Sequence, residues 1–213
     1  MKYALPFKFW QLTPDGQKAY QAYEHIHAYH QGVTVQYSRI YDIWTASSNI
    51  TGNPGAPEVL RQKQALMKQV VRDIHCLLIF FQVIWKTLKV LSNKELYPHF
   101  ESLSALQGKW EPYFEQYREP RNTLEHYDDQ VLGPDSKKNG PGWGLSLSVR
   151  KGFSLGLQTR VSVDQQAYEA LCEFMAEFEA AIEKIVEPGT GNAVAGCGTK
   201  DEVAQRVQHG LGC

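Results

Sequence analysis

Ile74-His75-Cys76-Leu77-Leu78-Ile79-Phe80-Phe81-Gln82-Val83-Ile84-Trp85-Lys86-Thr87-Leu88-Lys89-Val90-Leu91 is the stretch on which the fold turns. A clean apolar run of this length would suggest a membrane span. This one is not clean: His75, Gln82, Lys86 and Lys89 interrupt it, and charges inside a span are costly to insert. It reads as the buried helix of a helical domain. Working back from Ile74, Pro57 opens the helix, because proline at a first helical position gives up a donor that has no partner there anyway. The resulting segment, 57–91, would be about 50 Å long at 1.5 Å per residue. That exceeds the diameter of a small domain, so the segment either kinks or projects towards a partner.

Before it, Thr13-Pro14-Asp15 combines a hydroxyl cap, a first-turn proline and an acid near the positive helix end. The helix it starts is expected to run to His30 and stop at Gln31-Gly32. A second helix over 35–46 carries Tyr37, Ile40, Tyr41 and Trp44 at helical spacing. Thr51-Gly52-Asn53-Pro54-Gly55 is a loop by its turn chemistry. After the long segment, 96–117 gives one or two shorter helices with an aromatic stripe (Phe100, Trp110, Tyr113, Phe114, Tyr117), and Gly108 and Pro112 predict a break between them. Gly133-Pro134 ends the next helix, and 135–142 is a loop. Trp143, Leu145, Leu147 and Val149 alternate with small or polar residues, as do Phe153, Leu155 and Leu157 after Lys151-Gly152, which predicts a β-hairpin. Asp164 caps a last amphipathic helix to about Val186. The expected class is therefore mainly α, a helical bundle with a small β-hairpin insert before the last helix. The domain covers 1–186, with a flexible glycine-rich tail over 187–213.

Chemistry gathers at Pro120-Arg121-Asn122-Thr123-Leu124-Glu125-His126. With Pro120 in its first turn this is a short helix, and Asn122 and His126, four apart, share a face. Leu124, Tyr127 and Val131 line the opposite side and are expected to face the core. His126 then points outward. Imidazole titrates near neutrality and suits proton transfer. Guanidinium carries permanent charge on forked donors and suits a phosphate in transition.

Arginine, a polar residue and then histidine after four intervening positions resembles the R-x4-6-H signature of the HEPN superfamily of all-helical ribonucleases and toxins. The setting resembles it too: a long apolar helix before the motif, a short helix bearing it, a glycine-punctuated hairpin and a last amphipathic helix, over roughly residues 13–186. The resemblance implies a metal-independent endoribonuclease with no cofactor, acting on RNA in a stress, toxin or phage-defence setting. In it Arg121 would bind phosphate, Asn122 would orient, and His126 would move the proton. Two motifs would meet in a homodimer and leave a 2′,3′-cyclic phosphate. Arg118, Lys137 and Lys138 are further candidates for RNA contact. An antitoxin or other partner protein, a cytoplasmic location and no membrane association complete the expectation.

Several features weigh against a general RNA binder. The formal net charge is −1, so no global field attracts nucleic acid. Glu119, Glu125, Asp128 and Asp129 crowd the motif, and Arg121 and Glu125 are spaced for a helix ion pair. The alternative is thus a catalytically inactive HEPN-like scaffold that uses this face to dimerise or to bind a protein. A third reading is a small-molecule binder whose aromatic stripe lines a pocket. Hydrophobic content of 43% with five Trp, eleven Tyr and nine Phe fits a firm core. The N-terminus lacks the apolar core of a signal peptide. Cys76, Cys172, Cys197 and Cys213 have neither zinc nor disulfide spacing, and Cys76 and Cys172 read as packed thiols. His27 and His30 are three apart on a helix, but no second pair or carboxylate motif accompanies them, so no metal site is expected.

Overall fold

Seven-residue repeats set the architecture. In the computed structural model of the protein, which describes residues 5–12, 15–125, 145–148, 152–155, 159–161 and 163–186, α1 spans Leu5–Leu12, α2 Gly16–Ser48 and α3 Pro57–Leu91. Ala19, Ile26, Val33 and Ile40 recur every seventh residue of α2, and all are buried. On α3, Val70, Ile74, Leu77, Phe81, Ile84, Leu88 and Leu91 alternate steps of four and three, and all are buried. That is the seam by which helices pack knobs into holes. Trp44 lies with Leu66 and Met67, Arg39 with Asp73, and Gly32 with Phe80. One number falls as the other rises, so α2 and α3 are antiparallel. The loop over 49–56 joins them, and Gly52 there takes φ +118°, a conformation L side chains rarely adopt.

The chain continues through a 3₁₀ turn, Pro98–Phe100, into α4 (Leu103–Glu115) and α5 (Arg118–Glu125). Three short strands follow, β1 (Leu145–Ser148), β2 (Gly152–Leu155) and β3 (Thr159–Val161), paired antiparallel in chain order with Leu145 opposite Leu155 and Phe153 opposite Val161. The sequence pattern did not anticipate the third, because three residues carry too little alternation to register. The last helix among the described residues, α6, spans Gln165–Val186. Asp164 caps it, accepting the Ala167 amide at 3.0 Å. The protein is mainly α-helical.

Two sequence expectations give way. Gly32 does not end a helix, and α2 runs unbroken from 16 to 48. A Cβ at Gly32 would lie 2.8 Å from Cε2 of Phe80, so the glycine lets α3 come close. Nor does α4 break at Gly108 or Pro112; both lie inside it. Buried Trp110 and Phe114 clamp the helix on either side of the proline, and this packing overrides the lost hydrogen bond. The cap expected from Thr13 and the tail over 187–213 lie outside the described residues. Asp15 is the residue before α2, and its carboxylate takes Lys18 at 2.9 Å without capping an amide.

The core is aromatic and sits at one end of the α2–α3 pair. Trp85 stacks on Phe114 with ring centres 5.2 Å apart, Phe81 on Tyr117 at 4.2 Å, and Phe174 meets Phe114 edge-on at 4.9 Å. Leu171, Phe174, Phe178 and Ile182 carry α6 into the same core. By length and composition alone α3 is apolar enough to cross a membrane, and half of its most apolar window is buried inside the protein. Here it is the central core helix. At the other end the pair projects: from residue 41 to residue 69, Val59 alone is buried. Projection of one continuous helix accounts for the length of the 57–91 segment.

Candidate functional site

The motif helix α5 is fixed from below. Tyr117, just before it, is fully buried against Phe81, and its carbonyl accepts the Arg121 amide at 3.2 Å. Pro120 and Leu124 are buried, as the apolar side of a short helix should be. Gln82, which reads in sequence as an interruption of the apolar run, donates from its buried amide to the Phe114 carbonyl at 3.1 Å. It ties α3 to the end of α4 just ahead of the motif.

Arg121 and Asn122 come together on the outer side. Asn122 is exposed, and its Oδ1 accepts a hydrogen bond from Arg121 Nη1 at 3.1 Å. Nη2 donates to Glu125 Oε1 at 2.5 Å. The Arg121 side chain is one quarter exposed, and its Nε is buried without a hydrogen-bond partner. The guanidinium is therefore held in one orientation by residues of its own helix, and one of its edges lies against a carboxylate. Arg118 turns elsewhere: its Nη1 lies 3.6 Å from Glu115 Oε2. Glu115 also accepts the Trp85 indole N–H at 2.8 Å and Lys89 Nζ at 3.0 Å, and these two partners hold its carboxyl below the usual range. Arg118 thus joins the Glu115 network by a largely exposed ion pair. His126, Lys137 and Lys138 lie outside the described residues, as do Tyr127 and Val131.

The other candidates resolve into packing. The aromatic stripe of α4 is core, with Trp110 and Phe114 buried, and the best hollows among the described residues have room for little more than a water. They do not accommodate the small-molecule reading. Among the described residues no three metal-ligating side chains cluster. His27 Nδ1 lies 3.7 Å from Glu179. His30 is mostly buried, its Nε2 has no hydrogen-bond partner, and desolvation, with His27 adding to it, pushes its pKa down to about 4. Neither Cys76 nor Cys172 forms a disulfide.

Sequence reasoning missed an ion pair of a buried acid with a half-exposed arginine. Asp73, 2% exposed, receives Arg39 Nη2 at 3.2 Å across the α2–α3 seam, and its second oxygen has no partner. An acid inside an apolar heptad was its signal. Compared with known proteins, the chain matches no family model, no curated protein and no solved structure.

Proposed function

We propose that the protein is a metal-independent endoribonuclease of the HEPN type, acting as a homodimer in which two copies of the motif face each other. One observation carries the reading: Arg121 and Asn122 share the outer side of a short helix whose inner side is anchored in the core, and the guanidinium is oriented beforehand. Preorganised donors are what a phosphorane needs, since they cost no rearrangement when charge develops. His126 follows directly in sequence.

The proposed chemistry uses the RNA's own nucleophile. His126 takes the proton of a 2′-hydroxyl, and that oxygen attacks the adjacent phosphorus. Arg121 bears the charge of the five-coordinate phosphorane, with Asn122 orienting phosphate or imidazole. The 5′-oxygen of the next nucleotide leaves with a proton from an imidazolium, giving 2′,3′-cyclic phosphate and 5′-hydroxyl ends. Lys137 and Lys138, and Arg118 on leaving Glu115, would add phosphate contacts.

The Arg121–Glu125 pair favours a second reading, a catalytically inactive HEPN-like scaffold, because a carboxylate on the guanidinium competes with phosphate. Cleavage of total RNA and tRNA in EDTA separates the two. For the nuclease, cutting resists the chelator, yields cyclic phosphate ends and falls at least a hundredfold in His126→Ala. Glu125→Gln keeps or raises the rate, since it releases Arg121. If a folded wild-type dimer leaves every RNA intact while Arg121→Ala weakens its self-association, the scaffold is the function.

A further inference from the structure

The projecting half of α3 is basic along one side. Across residues 49–72 the chain carries Arg61, Lys63, Lys68 and Arg72 against the single acid Glu58, in a protein of net charge −1. Val59, Val70 and Asp73 are buried and set the inner side of the helix. At roughly 100° per residue, Arg61, Lys68 and Arg72 fall within about 40° of one another on the opposite side. Lys63 falls elsewhere, beside Ile43, Trp44 and Ser47 of α2. The side chains of Arg61 and Arg72 are 74% and 66% exposed, and Lys68 is exposed as well.

Steps of seven and four residues separate the three cations by about 10 and 6 Å, intervals that long side chains can adjust to successive phosphates. Little holds them otherwise. Arg61 meets Glu58 at 3.0 Å in an exposed pair, and such pairs contribute little. Arg72 Nε is 4.0 Å from Asp73, whose carboxylate Arg39 approaches more closely. The row has charge at intervals, which is the chemistry of backbone contact. It also points somewhere. Trp85 stacks on Phe114 and Phe81 on Tyr117, so the chain descends α3 towards this exposed half as it enters α5.

We propose that Arg61, Lys68 and Arg72 form a docking strip for the phosphate backbone of RNA, which leads the strand towards the motif helix. The destination rests on the nuclease reading; the binding does not.

The test uses single-stranded RNA with 2′-O-methyl riboses, which binds but has no nucleophile to cut itself. Its affinity is measured by fluorescence anisotropy over a series of salt concentrations, for full-length wild type and the triple variant Arg61→Gln, Lys68→Gln, Arg72→Gln. The triple variant is expected to melt like wild type, to bind at least about tenfold more weakly, and to show a log–log salt slope shallower by about 2, near 0.7 for each lost phosphate contact. Glu58→Gln should tighten binding, and Arg61→Lys with Arg72→Lys should preserve it. Unchanged affinity and slope in the triple variant would overturn the strip, as would a change in sedimenting mass without a change in RNA binding, which would make the face a contact between copies. The two proposals fail separately. Wild type that cuts unmodified RNA while the triple variant binds normally sinks the strip alone. Wild type that binds through the strip and cuts nothing sinks the nuclease alone, and wild type that does not bind sinks both.

Discussion

The two ends of the α2–α3 pair are built on the same heptad pattern and differ in what covers them. At the base, α4, α5 and α6 close over α3, and Trp85, Phe114 and Phe174 are essentially inaccessible. In the arm, the helices have each other and solvent, and Tyr41, Leu60 and Met67 are exposed. The difference teaches that helical periodicity specifies a seam but not how many neighbours share it. Stability should follow coverage, and function is proposed at the edge of the base and along the arm.

Truncation of matched aromatics is the strongest way to break that comparison. Trp85 is 1% exposed, stacks on Phe114 and donates to Glu115, so Trp85→Ala is expected to cost about 3–5 kcal/mol in urea unfolding. Trp44→Ala in the half-open arm should cost about 1 kcal/mol. Equal losses would mean that the arm is covered in solution.

Acid sharpens the same contrast. The folded pKa of His30, about 4, lies below the ordinary 6.5. The folded state therefore binds fewer protons than the unfolded chain between those values. Stability from this group is full above pH 6.5 and is lost as pH falls towards 4, by at most about 3 kcal/mol. His30→Gln should flatten that limb of the stability–pH curve. The arm over 41–69 contains no histidine, so its hydrogen exchange, corrected for intrinsic rates, should change less across this window. A curve that keeps its full slope in the variant would remove His30 from the explanation.

The smallest expected effect compares two glycines. Gly32→Ala drives a methyl into Phe80 and should destabilise by about 1 kcal/mol, after the gain in helix propensity offsets part of the overpacking. Gly108 has nothing within 4 Å of an added Cβ, and Gly108→Ala should stabilise by up to about 1 kcal/mol. Thermal melts that rank the two variants the other way would contradict the close approach of α2 and α3.

What could be read in advance was local. The run 74–91, the caps at Pro57 and Asp164 and the buried side of α6 follow from spacing within one helix. So does the Arg121–Glu125 pair, four residues apart. What escaped depends on partners far along the chain. Gly32 looks like a terminator until Phe80 is beside it, and Gln82 looks like an interruption until it meets the Phe114 carbonyl. Asp73, an acid inside an apolar heptad, signals a partner without naming Arg39. At the motif, the sequence pattern named Arg121, Asn122 and His126. It grouped Arg118 with them, and the structure adds an ion pair to Glu115, three residues back.

The short link between α2 and α3 also bears on the order of folding. A loop of eight residues, 49–56, is cheap to close in entropy, and the pairs nearest it belong to the arm. Helix α6 instead reaches partners such as Lys109 and Thr34 across 68 and 134 residues of chain, and distant pairings form slowly. The hairpin should therefore zip from its tip, with α6 docking late, so that lesions in α6 chiefly accelerate unfolding. The part of the molecule that adds least to its stability would lead its assembly.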